Sequence, residues 1–401
     1  MPTRCGTREH VPPSSAWALD PTVTFLNHGS FGACPRAVLA LQTALRERME
    51  QDPGRFLVRD APSLLEGSRA RLAAFVGADA RDIVFVDNAT TAVNTVLAWA
   101  DLARDDEILA TDHGYRACNN AIEAWAGRKG ARLVVARIPF PLRDSADVLD
   151  AVLASCTPRT RLAVIDHVTS PTAVVFPVDQ LVRELHARGV RVLVDGAHAP
   201  GMVPLALQEL GADYYTGNAH KWLCAPKGAA FLFVRRELQP SIRPLVISHG
   251  ASLAPHDPRR FQTEFGWMGT DDPTSWICIG DAIEFGDSTT PGGWPSRMQR
   301  NHELVCEARR LLCDTLGLPA PCPESMLGSM ASIPLPDGMV PSADRHAPVD
   351  PLQARLRESG FDVPVVCWPH HPHRLLRISA QLYNALADYA SLTGVLATLR
   401  G

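Results

Sequence analysis

The chain has 401 residues, of which 46% are hydrophobic and 20% charged, and this composition is typical of a soluble globular protein. Its 39 Lys and Arg residues against 43 Asp and Glu leave a formal net charge of −4, so a nucleic-acid partner is not expected. The longest apolar runs are far shorter than the ~20 residues of a membrane span, so no membrane insertion is expected. The N-terminus lacks the apolar core of a secretory signal, and the ten cysteines show no pairs at two-residue spacing. The sequence therefore predicts a cytoplasmic protein with reduced cysteines.

Helical and strand patterns alternate from about Pro35 to Val234, as expected for repeated βα units. Apolar residues three or four apart predict an amphipathic helix behind Pro35, which ends at Asp52-Pro53-Gly54. Later apolar runs without alternation predict strands covered on both faces, at 83–86, 131–138, 161–165, 190–194 and 229–234. The predicted fold class is therefore α/β, with a mainly parallel sheet sandwiched by helices.

Three parts are expected along the chain. Residues 1–34 form an N-terminal segment, residues 35–260 a large α/β domain, and residues 261–401 a connecting loop with a smaller C-terminal α+β domain. Pro and Gly become frequent after the last predicted strand of the large domain, and residues 248–273 are predicted to be one long loop.

Two polar residues stand out near strand ends of the large domain. Asp195 follows an apolar strand, at the edge where open α/β sheets bind ligands. Lys221 lies in NAHKW, where aromatic and apolar neighbours make a charged ammonium costly, lower its pKa and free the amine for Schiff-base chemistry. An acid and an amine at neighbouring strand ends suit a pyridine cofactor, whose ring nitrogen requires an anion and whose aldehyde requires an amine. Taken singly, Asp195 is equally explained as a cap of the turn AHAPG. The alternative for Lys221, a surface lysine at a strand end, is weaker, because Lys221 coincides with Asp195, the Thr90 turn and Arg377.

A second polar turn, VFVDNATTAVN, joins a strand to a helix. Thr90 and Thr91 place hydroxyl and backbone N–H donors at the helix N-terminus, where phosphate binds readily, although the same groups also serve as a helix cap. After a further strand, His113 and Tyr115 are both candidates to stack on a flat ring, and we favour Tyr115. No G-x-G-x-x-G motif follows a strand, so a nicotinamide cofactor is not expected. The run CWPHHPH is interrupted by prolines and has no second ligand pair, so no metal site is predicted.

These segments resemble the class V branch of the fold type I pyridoxal-phosphate enzymes, which includes cysteine desulfurases and isopenicillin N epimerase. The similarity extends from LNHGSFGACP to RISAQLYN, and the segments LDPTVTFLNHGSFG and DHVTSPTAVVFP are most similar to the isopenicillin N epimerase-like subgroup. The resemblance implies pyridoxal 5'-phosphate as the cofactor, with Lys221 as its Schiff-base lysine and Asp195 as the partner of its pyridinium nitrogen. His198 falls where the family places a donor to the cofactor's phenolic oxygen.

The resemblance also implies contacts to the cofactor's phosphate and to the substrate. Phosphate contacts are expected from the backbone N–H of Ala89 and from Thr90, Asn218 and His220. Thr270, in GWMGTDD, resembles a residue that the partner subunit contributes to the same phosphate, which implies a homodimer with shared active sites. Arg377, in LLRISAQLYN, corresponds to the arginine that binds the substrate's α-carboxylate, a bidentate contact that lysine makes poorly. The alternative for Arg377 is an ion pair with an acid at the edge of the smaller domain.

The chain also departs from the desulfurases. Where they carry an Asn near the phenolic oxygen, this sequence has Thr169-Ser170-Pro171, so the cofactor contact of Ser170 is weakened or moved to His198. Cys367 lies only ten positions before the carboxylate arginine, and we do not assign it the sulfur-accepting role. His28, in LNHGSFG, is expected either to cap a helix or to donate to the substrate.

The expected reaction begins when an amino acid displaces Lys221 from the cofactor and is held by Arg377. The released amine then removes the Cα proton, with the protonated ring as electron sink. Reprotonation on the opposite face gives epimerisation, for which Tyr115, His113 and His28 are candidate acids, whereas loss of a β-substituent gives C–S lyase chemistry. The first hypothesis is an isopenicillin N epimerase-like enzyme, the second a β-eliminating C–S lyase or desulfurase-like enzyme, and the third a non-catalytic homologue that binds the cofactor.

Overall fold

In the computed structural model, the described residues are 13–336, 338–340 and 349–399. Their strands are β1 Thr24–Phe25, β2 Ile83–Val86, β3 Glu107–Thr111, β4 Arg132–Ala136, β5 Thr160–Asp166, β6 Arg191–Asp195, β7 Tyr214–Asn218, β8 Ala230–Val234, β9 Met330–Pro334, β10 Phe361–Asp362, β11 Val365–Cys367 and β12 Arg374–Ser379. Their α-helices are α1 His28–Phe31, α2 Arg36–Gln51, α3 Pro53–Arg55, α4 Ala61–Val76, α5 Ala89–Trp99, α6 Arg116–Lys129, α7 Ala146–Ala154, α8 Val178–His186, α9 Leu207–Leu210, α10 Arg260–Gly266, α11 Thr274–Ile277, α12 Ile279–Ser288, α13 Gly293–Leu316, α14 Pro351–Glu358 and α15 Leu386–Leu399. Within these residues, no helix has both the length and the apolar character needed to cross a membrane.

A seven-stranded sheet forms the centre of the described part of the chain. Its strand order is β2-β8-β7-β6-β5-β3-β4, and neighbouring strands are parallel except where β8 is involved. On one face, α5 and α6 contribute Val96 and Ile122 to an apolar cluster with Leu193 of β6. On the other face, α8 contributes Leu181 to a cluster with Val194 of the same strand. The predicted α/β class, with a mainly parallel sheet covered by helices, is confirmed.

The strand predicted at 131–138 differs in its surroundings from the expectation. β4 lies at the edge of the sheet, where it pairs with β3, and its Val135 is 40% exposed. Leu133 and Val134 pack against the apolar clusters on opposite faces of the sheet, so the predicted cover on both faces is present only in part. A continuous apolar run does not show whether a strand lies at the edge of the sheet, where its side chains remain partly exposed.

The segment 248–273, predicted to be one loop, contains the helix α10. Phe261 and Phe265 lie one helical turn apart and are buried in the cluster that includes Val84 of β2. The single-loop prediction is wrong over 260–266, because this i, i+4 apolar pair outweighs the Pro and Gly residues on either side.

The C-terminal part contains an antiparallel sheet of order β11-β12-β9, and α13 packs on β9 and α15. The N-terminal β1 joins this part of the molecule, since Thr24 pairs with Phe361 of β10 in parallel register. This contact brings α1, which follows β1, beside both sheets. The domain boundaries at 34 and 260 remain predictions.

Candidate active site

The polar residues singled out in the sequence gather at one edge of the central sheet. Asp166 ends β5, Asp195 ends β6 and Asn218 ends β7. Because these strands are parallel, their carboxyl ends meet, and Asp166 lies directly opposite Asp195 in register. The N-termini of α5 and α6 follow β2 and β3 at the same edge. This is the edge at which open α/β sheets bind ligands.

Lys221 lies in the turn after β7, with its amine directed at His198. Nζ is 3.1 Å from His198 Nε2. Burial, followed by the positive charge of Arg377, lowers the pKa of the Lys221 amine to about 8. Trp222 Nε1–H can only donate, so Nδ1 of His198 accepts from it at 3.4 Å and the ring proton lies on Nε2, facing the amine. His198 thus presents an N–H toward the Lys221 amine, and the contact to the cofactor that the resemblance implies for it stays a prediction.

Asp195 is 3% exposed, and both of its carboxylate oxygens accept hydrogen bonds. Oδ1 accepts from the Ala197 N–H at 3.0 Å, which is the turn-capping contact considered in the sequence. Oδ2 accepts from the Cys118 thiol at 3.2 Å. Burial and the Asp195 charge raise the pKa of this thiol, so it stays a donor. The carboxylate is therefore fixed in orientation at the sheet edge.

The N-terminus of α5 is held by two amide side chains. Asn88 Oδ1 accepts from the Thr91 N–H at 2.9 Å, so Asn88 is the cap of this helix. The predicted phosphate ligands Ala89 and Asn218 contact each other, since the Ala89 N–H donates to Asn218 Oδ1 at 2.9 Å. The Thr90 hydroxyl lies within hydrogen-bonding reach of Cys118.

Tyr115 and His113, the two candidates to cover a ring, have very different environments. Tyr115 precedes α6 and is 46% exposed. His113 is fully buried; its Nδ1 accepts from the Thr172 hydroxyl at 2.7 Å, and its Nε2 donates to the Ile138 carbonyl at 3.3 Å. Burial lowers the pKa of His113 to about 4. Only Tyr115 of this pair is accessible to a ligand.

Arg377, on β12, is 4% exposed and makes its contacts with hydroxyl and carbonyl groups. Nη1 donates to the Ser170 carbonyl at 2.6 Å and to Ser170 Oγ at 3.1 Å, and Nη2 donates to Ser30 Oγ at 2.7 Å. Burial lowers the pKa of Arg377 to about 10. Among the described residues, its Nε has no hydrogen-bond partner, and no ion pair joins it to an acid. This arginine is a buried cation without a counter-charge of its own, as expected of a carboxylate-binding group, and Ser170 supports it.

His28 contacts the backbone of Lys221 and the side chain of Tyr383. It is fully buried, with Nε2 3.0 Å from the Lys221 carbonyl oxygen and Nδ1 2.7 Å from the Tyr383 hydroxyl. Burial lowers its pKa to about 3. The position of His28 gives no support to a donor role on the substrate, because both ring nitrogens are engaged inside the protein.

His220 and Thr270 have contrasting positions. His220 Nδ1 donates to the Ala229 carbonyl at 3.0 Å, and burial lowers the pKa of this imidazole to about 4. Thr270 is exposed on the segment between α10 and α11, where it lines a cavity of about 960 Å³ together with Asp87 and Thr91. Thr270 is therefore accessible from outside the chain.

Three site residues were missed in the sequence: Ser30, Cys118 and Asp166. Ser30 follows His28 by two positions, and Cys118 is one helical turn after Tyr115 on the side of α6 that faces the sheet. These spacings are visible in the sequence, but only the packing of distant segments shows what the side chains contact. Among the described residues, no three His, Cys, Asp or Glu side chains are grouped as a metal site would require.

The sequence model described as Aminotransferase class-V matches residues 52–316. The chain is 36% identical to "Isopenicillin N epimerase" of Amycolatopsis lactamdurans, over 96% of this chain and 99% of that protein. The chain belongs to the class V aminotransferase family. It is also 33% identical to "Probable L-cysteine desulfhydrase, chloroplastic" of Arabidopsis thaliana, over 93% of this chain and 82% of that protein. A solved structure described as a C-DES mutant with glycine covalently linked to the PLP cofactor has the same fold, with a TM-score of 0.78 at 22% identity over 98% of this chain and 99% of that one.

The cofactor of class V enzymes is pyridoxal 5'-phosphate (PLP), and the residues present fit it. Lys221 would supply an amine of lowered pKa for the aldehyde, and Asp195 would supply a buried acid for the ring nitrogen. In the first turn of α5, the Ala89 and Thr91 N–H groups donate to Asn218 and Asn88, so Thr90 would supply the remaining donors for the phosphate. The donor set matches all three ends of this cofactor.

Proposed function

We propose that this class V enzyme uses PLP to remove the α-proton of an amino-acid substrate, with the Lys221 amine as the base. The observation that carries the proposal is the amine itself, which lies at the carboxyl edge of the sheet beside the His198 N–H and has a pKa lowered to about 8. When bound, PLP supplies an aldehyde that captures amines and an electron-withdrawing ring that delocalises the charge left at Cα.

Three side chains of the protein bind the substrate, face the cofactor ring and accept the proton. Arg377 binds the substrate's carboxylate, and its buried charge, which no acid pairs among the described residues, favours an anion there. Asp195 places a negative charge opposite the ring nitrogen. Lys221, about half neutral near pH 8, accepts the Cα proton and holds it.

Epimerisation, the first candidate outcome, requires an acid on the face of the substrate away from Lys221. Of the three residues considered in the sequence, His113 and His28 are buried with both ring nitrogens engaged. Tyr115 alone of the three is accessible, so the epimerase hypothesis depends on its hydroxyl. This outcome draws further support from the 36% identity to an epimerase.

β-Elimination of a sulfur substituent is the second candidate outcome. It requires no acid on the far face, so the buried positions of His113 and His28 are no obstacle to it. The 33% identity to a desulfhydrase supports it as well. Cys367 ends β11 and is exposed, and we again assign it no sulfur-accepting role.

Incubation of the loaded enzyme with candidate amino acids in heavy water separates the two outcomes. α-Deuterium with inverted configuration supports epimerisation, and pyruvate or free thiol supports elimination. If the enzyme binds PLP but neither exchanges the α-proton nor releases product with any amino acid, the proposal fails in favour of a non-catalytic homologue. The matched control is Lys221→Ala, which removes the base.

A homodimer with shared active sites is also part of the proposal. Thr270 is exposed, and the cavity it lines also contains the exposed side chains of Leu245 and Val246. Mixing the Lys221→Ala and Thr270→Lys variants tests this arrangement, because a mixed dimer would contain one intact site. Restored activity supports shared active sites. If subunit exchange is confirmed and activity is not restored, shared active sites are contradicted.

A cytoplasmic location remains proposed, in keeping with nine unpaired cysteines in the described residues.

A further inference from the structure

A single short helix contacts both the lysine and the arginine of the site. α1 places His28 Nε2 at 3.0 Å from the Lys221 carbonyl oxygen. Two residues later, its Ser30 Oγ accepts from Arg377 Nη2 at 2.7 Å. Lys221 follows the central sheet and Arg377 lies in the C-terminal sheet, so α1 bridges the two parts of the chain that carry the site.

His28 Nε2 contacts two groups, the Lys221 carbonyl oxygen at 3.0 Å and the Gln381 amide nitrogen at 3.2 Å. A carbonyl oxygen can only accept, so the bond to Lys221 forms in the tautomer with the proton on Nε2, in which Nδ1 accepts from the Tyr383 hydroxyl at 2.7 Å. Burial, followed by the charge of Arg297, keeps the imidazole neutral, which is consistent with one proton on the ring. Tyr383 follows β12 by four residues, so this bond also connects the lysine turn to the chain segment that carries Arg377.

The backbone of α1 has no free space on either side. The Gly29 N–H donates to Ser379 Oγ at 3.1 Å, and a Cβ at Gly29 would lie 2.2 Å from Met330 Sδ. At the other end, Gly32 has φ +70°, and a Cβ there would lie 2.1 Å from the His220 carbonyl oxygen. The helix is therefore in direct contact with β9 and β12 on one side and with the lysine turn on the other.

We propose that α1 sets the separation between the Lys221 amine and the Arg377 guanidinium, with His28 as the positioning residue for the lysine and Ser30 for the arginine. This inference rests on the proposed function. An α-amino acid carries its amino and carboxylate groups on one carbon, so the base and the carboxylate site must keep a fixed distance for the Cα proton to face the amine. His28 acts through the backbone of Lys221 and does not contact the substrate.

The test compares His28→Leu with His28→Gln, whose amide N–H can replace the bond to the Lys221 carbonyl. In cofactor-free protein, competitive chemical labelling followed by mass spectrometry measures the pKa of the Lys221 amine. We expect His28→Leu to move this pKa upward from about 8, because a displaced amine gains water, and to lower kcat/KM about ten- to a hundred-fold. In His28→Gln, we expect the Lys221 pKa and kcat/KM to be close to those of the unsubstituted enzyme. His186→Leu is the matched control, since His186 bonds to Asp213 at 2.7 Å far from the lysine turn.

Tyr383→Phe serves as the second variant if His28→Leu does not fold, because it removes one hydroxyl without opening a cavity. We expect it to raise the pKa of the Lys221 amine by less than His28→Leu does. A loss of thermal stability with an unchanged Lys221 pKa and unchanged kcat/KM would show that His28 is merely structural and would overturn the inference. The proposed function is judged separately on the unsubstituted enzyme: if that enzyme forms no borohydride-reducible bond at Lys221, the proposed function fails first. If the unsubstituted enzyme does form that bond, and the His28 variants have the same Lys221 pKa and the same kcat/KM as that enzyme, only the positioning role fails.

Discussion

Asp195 and Asp166 lie side by side at in-register positions of β6 and β5, yet their surroundings differ. Asp195 accepts hydrogen bonds from the Ala197 N–H and the Cys118 thiol. Burial, followed by the negative charge of Asp195, raises the pKa of Asp166 well above its ordinary value. Repulsion between the two neighbouring carboxyl groups thus disfavours the charged form of Asp166, while two donors contact the oxygens of Asp195.

Asparagine substitutions at these two positions are expected to have unequal effects. Asp195→Asn removes the charge opposite the ring nitrogen, so we expect PLP to bind more weakly and kcat to fall about 10²- to 10³-fold. Asp166→Asn removes a charge that burial and the neighbouring Asp195 already disfavour, so a loss of less than about ten-fold is expected. Fluorescence titration measures the PLP affinity of each variant, and steady-state kinetics measure its kcat. Equal losses in the two variants would show that Asp195 is not the specific partner of the ring.

Tyr115→Phe separates the two candidate reactions. The substitution keeps the aromatic ring, which the proposal stacks on the cofactor, but removes the hydroxyl of the one accessible residue among the three candidate acids. An epimerase is expected to lose inversion at Cα about 10²- to 10⁴-fold while still exchanging the α-proton in heavy water. A C–S lyase is expected to keep most of its product release. Inversion that survives unchanged in Tyr115→Phe would contradict the role assigned to this hydroxyl.

The rate at which cofactor-free protein combines with PLP should report the pKa of Lys221. The neutral amine is the reactive form, so the rate is expected to fall about ten-fold per pH unit below pH 8 and to level off above it. Stopped-flow absorbance at the imine band provides the measurement. A rate that keeps rising to pH 10, as for an exposed lysine, would contradict the lowered pKa.

Arg377→Lys is expected to raise KM for amino acids about ten- to a hundred-fold, because lysine retains the charge but loses the forked geometry. Ser30→Ala removes only the acceptor of Arg377 Nη2 and should raise KM less than Arg377→Lys does. In both variants, kcat should change less than KM. Removal of the substrate's carboxylate, as in the corresponding amine, should make the three enzymes similar. If Arg377→Lys left KM unchanged for carboxylate substrates, the carboxylate would have to bind elsewhere.

The fold class followed from the sequence because parallel, buried strands produce continuous apolar runs that need no tertiary information, as in β5 and β6. The edge position of β4 and the helix α10 depend on neighbours that the local sequence does not name. Asp195 was predicted as a site residue because an acid that ends an apolar strand is conspicuous in the sequence, and Lys221 because it has apolar and aromatic neighbours near a strand end. Cys118 and Ser30 were not predicted as site residues, because they contact Asp195 and Arg377, which lie 77 and 347 positions away along the chain.

Borohydride reduction of the PLP-loaded protein, followed by peptide mapping, tests the central claim most directly. The chain contains three lysines, Lys129, Lys221 and Lys227, so the other two serve as internal controls. Lys129 donates to the Ala100 carbonyl at 2.8 Å, and Lys227 is exposed. We expect the reduced pyridoxyl group on Lys221 alone, with no label in Lys221→Ala. A protein that takes up no PLP, or a label on Lys129 or Lys227 in place of Lys221, would contradict the account.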